Sequence, residues 1–258
     1  MTQDSTNSHF LVRAWLPSDA ATVSSWRQQT GVPLRLAGVD GGVDGGDHEW
    51  LVLADPASAQ PLACLRLVQQ LGLQMPRYSY HVGRVVHAAV ELGLYRSQTT
   101  LLLGNDHSGE SELADLACAP ALSDAAQVDA LLRLIQAALQ RIQAQPALFG
   151  ERLIVELAGP RDQSGKAPFW QGLGAHFYAG DPAAAQAKFG DAWRSHLAAL
   201  LPRQTLYLSF LSDAAQAAMG QVGDSGQPAA RALAACGFGF SQHVRIDDGG
   251  PVWERRLR

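Results

Sequence analysis

The sequence predicts a domain of the α/β or α+β class. Short apolar segments of strand length recur along the chain, and segments with helical spacing separate them. The clearest helix follows Ser123, where Val128, Leu131 and Ile135 open a series of apolar residues at steps of three and four. With 258 residues and 47% hydrophobic content, the chain is long enough to bury a sizeable core.

The first half of the chain is predicted to consist mainly of strands. Residues 1–9 are polar and are expected to form a disordered N-terminus. Strands are predicted at residues 10–15, 50–55, 61–72 and 98–103, and a helix after Pro17 that Gly31 stops. Residues 85–92 fit either a short helix or a strand. Residues 36–47 repeat Val-Asp-Gly-Gly and are predicted to form a flexible loop, since they lack the ligand spacing of an EF-hand.

The second half of the chain alternates helices with strands. The long helix is predicted to end before Pro146. Further helices are predicted at residues 167–177, with a break at Gly174, and at residues 181–200, 214–219 and 229–235. Strands are predicted at residues 152–157, 243–247 and 251–257. This order predicts one folded region over residues 10–258.

Composition argues against several classes of function. The net charge is −4 and no basic block occurs, so nucleic acid is not an expected partner. Cys64, Cys118 and Cys236 form no C-x-x-C pair, which argues against a disulfide or zinc framework and favours a reducing compartment. His81 and His87 lack the four-residue spacing of a helical metal pair, so no metal is expected. Without a signal peptide or an apolar run of about 18 residues, the expectation is a cytoplasmic protein without membrane contact.

Polar residues gather directly behind one predicted strand, in the segment LLLGNDHSGESELADL of residues 101–116. A polar segment that follows a strand and leads to a helix is a common ligand site. His107 can act as a general base near neutral pH, and Asp106 or Glu112 can orient it. The alternative is a loop in which Asn105 and Asp106 cap a turn and the histidine is only hydrogen-bonded.

The segment from Tyr78 to Leu116, YSYHVGRVVHAAVELGLYRSQTTLLLGNDHSGESELADL, resembles the central part of bacterial arginine N-succinyltransferases. Three more segments resemble the same family in order: PFWQGLG (168–174), LYLSFLSDAAQAAMGQV (206–222) and DDGGPVWE (247–254). VRAWLPSDAATV (12–23) is a weaker match. The resemblance covers most of residues 10–254 and implies a GNAT-like acyltransferase fold, with a mixed central sheet flanked by helices.

The resemblance also implies an activity and a set of site residues. The activity is transfer of the succinyl group from succinyl-CoA, as co-substrate with no bound cofactor, to the α-amino group of L-arginine, in arginine catabolism to glutamate. Leu116 matches the family's succinyl-CoA position. Backbone amides near Leu113 are the expected donors to the thioester carbonyl, and the helix N-terminus at Ser123 is the expected phosphate site. The candidates for substrate binding are Asn105, Asp106 and Glu112.

Three features depart from the family pattern. The family's proposed proton donor is a histidine after Gly-Gln-Val, but Gly223 and Asp224 stand here, so Asp224 and His107 are the candidate catalytic residues. A glycine-rich turn usually precedes the long helix of the acyl-CoA fold, yet no glycine lies between Gly109 and Gly150. The C-terminal extension usual in the family does not follow Arg258.

These departures keep two alternatives open beside the working enzyme. One is a catalytically impaired paralogue that acts as a binding or regulatory subunit of a full-length family member. The other is an acyltransferase with ornithine or another basic amine as acceptor, or with a different acyl donor. The expected partners are L-arginine and succinyl-CoA, together with a homo-oligomer or a hetero-oligomer with a paralogous subunit.

Overall fold

The protein is built around one mixed β-sheet. The structure is a computed structural model and describes residues 10–31 and 48–258. Over these residues the sheet has 11 strands in the order β1-β3-β4-β7-β8-β11-β10-β5-β6-β9, with β2 paired to β7. The strands are β1 (Leu11–Ala14), β2 (Arg27–Gln28), β3 (His48–Ala54), β4 (Pro61–Val68), β5 (Ser79–Ala89), β6 (Leu94–Gly104), β7 (Ser111–Cys118), β8 (Arg152–Glu156), β9 (Leu206–Tyr207), β10 (Gly239–Arg245) and β11 (Pro251–Arg256).

Seven α-helices flank the sheet in the described part of the chain. They are α1 (Asp19–Val23), α2 (Asp124–Ala144), α3 (Pro168–Gly172), α4 (Pro182–Phe189), α5 (Trp193–Leu200), α6 (Asp213–Ala218) and α7 (Gln227–Ala235). None of the helices is long and apolar enough to cross a membrane.

The main core lies between the long helix α2 and one face of the sheet. Leu131 and Ile135 of α2 are fully buried against strand residues such as Leu65 and Leu113. Strand side chains alternate between the two faces, so Arg66 and Glu112, the sequence neighbours of these leucines, point to the opposite face. Each fully buried leucine contributes about 1.5–3 kcal/mol relative to an exposed one.

A second core holds the other end of the sheet. Tyr80 and Leu101, on β5 and β6, pack against Phe169 of α3 and Trp193 of α5. Beyond this core, β5 and β6 continue as a paired two-stranded arm that turns at Gly93.

The predicted fold class, α/β with a mixed central sheet flanked by helices, is confirmed. The long helix has Ser123 as its N-cap, whose side chain accepts a hydrogen bond from the Ala126 N–H. The predicted helix after Pro17 is wrong in length, because α1 ends at Val23 and residues 27–28 form β2 instead. Residues 85–92 form the end of β5 and one 3₁₀ turn. The predictions for residues 1–9 and 36–47 lie outside the described residues.

Candidate active site at the divergence of two parallel strands

A cleft opens where β7 and β8 diverge. They are the parallel pair of the sheet within the described residues, and they pair only at Ser111 with Leu153 and at Glu112 with Ile154. Beyond these positions the facing backbone groups of the two strands no longer bond to each other. A crevice at the carboxyl ends of parallel strands is a common ligand position in α/β proteins. We call this space the cleft.

A β-bulge shapes one wall of the cleft. Between β4 and β7, Cys64 pairs with Ala117 while Arg66 pairs with Ala114, so β7 carries one extra residue there. Asp115 in this bulge has a left-handed backbone (φ 53°), and its carboxylate accepts a 2.6 Å hydrogen bond from Arg66 Nε. Bulges often occur at functional sites because they redirect backbone groups.

Residues from the N-terminal region fill the cleft. The backbone N–H of Gln29 donates to the carbonyl of Leu116 on β7 (3.0 Å). The Gln29 carbonyl accepts from the N–H of Ala158, just beyond β8 (3.2 Å). One residue therefore bridges the two diverging strands through its backbone.

A buried cluster of opposite charges lies beside the cleft. Arg194 of α5 binds both carboxylate oxygens of Glu156, and Arg77 contacts both Glu156 and Glu112. Burial alone would raise the pKa of the Glu156 carboxyl, but the charges of Arg194 and Arg77 outweigh burial and hold that pKa well below its usual range. The cluster can therefore keep Glu156 ionised although almost no water reaches it.

A second charged group ties β10 to the residues in the cleft. Arg245 bonds both carboxylate oxygens of Asp247, at 3.1 and 2.6 Å, and its Nη1 also donates to the Thr30 carbonyl. Asp248 accepts hydrogen bonds from the N–H groups of Gly159 and Gly250. Burial raises the pKa of Asp248 to about 6, with Arg245 opposing the shift and the charge of Asp247 adding to it.

Two cavities adjoin this region. The larger has a volume of about 230 Å³ and is bordered by Gly31, Lys166, Trp170 and Asp247. The smaller, of about 20 Å³, is lined by Thr30 and Arg194 among others and has room for about one water molecule. Gln186 of α4 borders both cavities.

The predicted polar segment behind β6 forms a turn beside the N-terminal end of β7, whereas the cleft opens toward its C-terminal end. His107 is buried in this turn, with its ring centroid 4.3 Å from that of His243. Burial and the nearby His243 lower the pKa of His107 to about 4. Asp106 lies 3.0 Å from His243 Nε2, and Asn105 bonds only Ser108 of its own turn. Asp106 and His107 therefore lie beside His243 of β10, Asn105 lies in the same turn, and none of the three borders either of the two cavities.

The other predicted site residues divide between core and cleft. Leu113 is buried under α2, and Leu116 is equally buried but presents its carbonyl to the cleft. Ser123 is exposed at the start of α2. Asp224 is exposed in the turn before α7, where Gly223 N–H donates to the Ala158 carbonyl at 2.7 Å.

Sequence reasoning missed most of the buried charged residues beside the cleft. Arg66 and Glu156 each stand inside an apolar strand sequence, PLACLRLV and RLIVE. A charged residue within such a sequence is a signal for a buried ion pair, because an unpaired buried charge is very unfavourable. The partners Arg77 and Arg194 lie in segments that carry no comparable signal.

The fold and the cleft define a class: this is a GNAT-like fold, in which a mixed sheet opens between two central parallel strands. The model of the family described as "Arginine N-succinyltransferase beta subunit" matches residues 42–258. The chain belongs to this family.

Similar proteins agree with the family match. The arginine N-succinyltransferase of Yersinia pestis (strain Pestoides F) is 33% identical over 215 residues, which cover 83% of this chain and 61% of the relative. That of Salmonella arizonae is 34% identical over 203 residues, 79% of this chain and 58% of the relative. Arginine/ornithine succinyltransferase subunit AI from Pseudomonas aeruginosa superposes with a TM-score of 0.65 at 27% identity, over 86% of this chain and 62% of that chain. This chain thus spans about three fifths of the length of these relatives.

Proposed function

We propose that this chain is an acyltransferase that moves the succinyl group of succinyl-CoA to the α-amino group of L-arginine. The observation that carries the proposal is the family match over residues 42–258. Relatives that are 33–34% identical carry the name of this activity. The cleft between β7 and β8 supports the proposal, because it supplies a crevice at the ends of parallel strands.

The reaction needs positioning more than it needs a cofactor. The α-amine attacks the thioester carbonyl and a C–N bond forms. The C–S bond then breaks, CoA leaves as a thiolate, and the proton lost by the amine balances the one that this sulfur takes up. The protein has to align the two reactants, stabilise the developing oxyanion and accept the amine proton. We assign the oxyanion donors to the backbone between Leu113 and Ala117, because the bulge at Asp115 redirects this strand beside the cleft.

We assign the acceptor to the larger cavity. L-Arginine carries a cationic guanidinium and an anionic carboxylate, and each requires the opposite charge. Residues of both signs border this cavity, with Arg161 and Lys166 as cations and Asp181 and Asp247 as carboxylates. Among the residues predicted from sequence for substrate binding, Glu112 is the one that lines the neighbouring small cavity.

Of the two candidate catalytic residues, we assign acceptance of the amine proton to Asp224 in preference to His107. Asp224 is exposed, and the backbone N–H of its neighbour Gly223 donates to the carbonyl of Ala158, just beyond β8, so Asp224 lies in a segment that contacts the border of the cleft. His107 is buried in the turn beside the start of β7, and its pKa of about 4 makes it a weak base.

The direct test is an assay of thiol release. The purified chain is incubated with succinyl-CoA and L-arginine, and the product is identified by mass spectrometry. We expect N-succinylarginine and free CoA, with Nα-acetyl-L-arginine as the control that lacks the attacking amine. L-Ornithine in the same assay tests the alternative acceptor. The absence of thiol release with every amine would contradict the proposed activity.

A second candidate function is a non-catalytic subunit of a full-length family member. Two observations favour it: residues 119–123 contain no glycine before α2, and Gln29 bridges the cleft. This candidate predicts that the chain elutes with a purified full-length family member in size-exclusion chromatography and changes that member's KM for succinyl-CoA. Separate elution together with intrinsic turnover would contradict it.

We also propose that the protein forms an oligomer through the two-stranded arm of β5 and β6. Val90, Leu92 and Tyr95 are 92%, 78% and 73% exposed near its end, which is unusual for large apolar side chains on a monomer. We expect Leu92→Glu to lower the mass measured by light scattering, while Leu73→Glu, at a comparably exposed leucine in the β4–β5 loop, leaves it unchanged. An unchanged mass for Leu92→Glu would contradict a role of the arm in oligomer formation.

The location we propose is the cytoplasm. Cys64, Cys118 and Cys236 are all free and buried, which suits a reducing compartment. A fluorescent fusion imaged in a bacterial host, with periplasmic and cytoplasmic markers as controls, tests this location.

A further inference from the structure

The residues that fill the cleft bond as an added strand would. Arg27 and Gln28 pair with Cys118 and Ala117 of β7 as the short strand β2. Gln29 then extends this pairing and joins β7 to the end of β8, through Leu116 and Ala158. These are the backbone groups that diverging strands leave available to an extended ligand. The chain therefore supplies its own occupant for the cleft.

The side chain of Gln29 connects the beginnings of helices α2 and α7. It is fully buried, and its Nε2 donates to Oε1 of Gln127 in the first turns of α2 (3.3 Å). Its Oε1 accepts from the backbone N–H of Ala229 in the first turn of α7 (3.4 Å). The N–H groups in the first turn of a helix are otherwise available to anions such as phosphate. Gln29 thus lies between the beginnings of the two helices that flank the cleft.

The two residues after Gln29 hold the segment in place. The Thr30 carbonyl accepts a hydrogen bond from Arg245. Gly31 has a φ of 69°, and a Cβ atom there would lie 2.9 Å from the Cβ of Ala158. Only glycine fits this backbone without strain, so the closed arrangement depends on Gly31.

We propose that residues 28–31, which we call the plug, close the donor cleft, and that succinyl-CoA enters it only after the plug leaves. This inference rests on the proposed function, because it takes the cleft as the site of the acyl donor. The pantetheine amides of the donor would need the Leu116 carbonyl and the Ala158 N–H, and its diphosphate would need the helix beginnings. The Gln29 backbone occupies the Leu116 carbonyl and the Ala158 N–H, and its side chain lies between the two helix beginnings. The plug and the donor therefore cannot bind in the cleft at the same time.

Departure of the plug also changes the two cavities. Thr30 borders the small cavity, Gly31 borders the large one, and Gln186 borders both. Within the described residues, Thr30 Oγ1, Trp193 Nε1 and Arg194 Nε are buried polar atoms without a hydrogen-bond partner, and all three residues line the small cavity. An open plug would give Trp193 Nε1 and Arg194 Nε access to a ligand. The closed form is therefore the form of the site without the acyl donor.

Variants that weaken the plug should bind the donor more tightly. Gly31→Ala introduces strain at a positive φ and a contact with Ala158, and Gln29→Ala removes both side-chain hydrogen bonds. We expect a five- to tenfold lower Kd for succinyl-CoA in isothermal titration calorimetry, because the apparent Kd varies inversely with the open fraction. Gly93→Ala is the matched control: Gly93 also has a positive φ (58°), at the end of the arm, with no atom near the added Cβ.

Hydrogen exchange of the wild-type protein provides a second measurement that does not depend on a variant's folding. The Gln29 amide donates to Leu116 in the closed form, so it should be protected without ligand. We expect this protection to fall at saturating succinyl-CoA, while the amides of β3 keep theirs. Equal Kd values for wild type and both plug variants, or a Gln29 amide that stays protected at saturation, would overturn the proposal.

The same experiments separate the two proposals. No binding of succinyl-CoA by the folded plug variants would overturn the role of the plug as a barrier to the donor. Tighter binding by these variants without thiol release in the presence of L-arginine would support the plug and contradict the proposed activity.

Discussion

His243 Nε2 lies 3.0 Å from Oδ2 of Asp106, across a sequence separation of 137 residues. His243 is on β10, and Asp106 is in the turn that leads into β7. The same histidine lies against His107, with ring centroids 4.3 Å apart. The polar segment after β6 is therefore attached to the neighbouring part of the sheet by one hydrogen bond and one ring contact.

We expect acid to destabilise the protein through His107. Its folded-state pKa of about 4 is below its unfolded value of about 6.5, so the unfolded chain binds the proton first as pH falls. The stabilisation is present above pH 6.5 and is lost as pH falls toward 4. Between pH 7 and pH 5 the loss is about 2 kcal/mol in the free energy of unfolding.

Asp248 changes stability with pH in the direction opposite to His107, so the measurement has to separate the two groups. Its pKa of about 6 is raised, so the folded protein gains stability as pH falls through 6 and loses it as pH rises. Urea unfolding of wild type and His107→Leu at pH 7 and pH 5 isolates the histidine, because both proteins retain Asp248. Parallel pH dependences of the two proteins would contradict the prediction.

Glu156→Gln should be strongly destabilising. The substitution leaves the buried Arg194 and the partly buried Arg77 without their shared carboxylate, a change that typically costs about 3–5 kcal/mol. Asp129→Asn is the control, because it breaks the exposed pair with Arg133 and should cost about 0.5 kcal/mol or less. Guanidinium unfolding measures both. Similar small losses for the two variants would mean that the buried cluster contributes little.

Gly249→Ala should destabilise more than Gly237→Ala. Both glycines have positive φ, at 70° and 78°, so both variants lose about 1–2 kcal/mol to backbone strain. A Cβ at Gly249 would also lie 2.5 Å from Cγ of Phe169, whereas nothing lies within 4 Å of one at Gly237. We expect an extra loss of about 1–3 kcal/mol for Gly249→Ala from this overpacking, measured by thermal unfolding. Equal Tm values would contradict it.

Ser123→Ala should weaken both the fold and the donor site. Its side chain accepts the Ala126 N–H at the start of α2, so its loss should cost about 1 kcal/mol of stability. Ser212→Ala removes an equivalent cap at α6 and should cost a similar amount. If the beginning of α2 holds the donor phosphates, only Ser123→Ala also raises the Kd for succinyl-CoA in calorimetry. An equal Kd in both variants would remove Ser123 from the donor site.

Local sequence features predicted most regular elements because their signals are local. Ser123 as N-cap and the apolar spacing through Ile142 predicted α2, and the apolar runs predicted β3, β4 and β8. The segment after Pro17 behaved differently. The helix ends at Val23, because the pairing of residues 27–28 with β7 and the burial of Gln29 in the cleft outweigh helix propensity.

The candidate site was only partly accessible from sequence. The resemblance predicted succinyl-CoA binding at Leu116, and the N-terminus of the long helix predicted a phosphate site at Ser123; both remain predictions. In the structure the Leu116 carbonyl accepts a hydrogen bond from Gln29 in the cleft. Gln29 gave no signal, since glutamine in a polar stretch is common in loops. Its role depends on contacts with Gln127 and Ala229, which are 98 and 200 residues away.

The sequence by itself determined the class of fold, the family and most helices and strands, because spacing and motifs are properties of neighbouring residues. Tertiary structure alone decided what occupies the cleft and which charges are paired. Glu156 is ionised because Arg77 and Arg194 come from distant parts of the chain to the same buried place. Electrostatic energy depends on distance in space and on exclusion of water, and neither can be read from the order of residues.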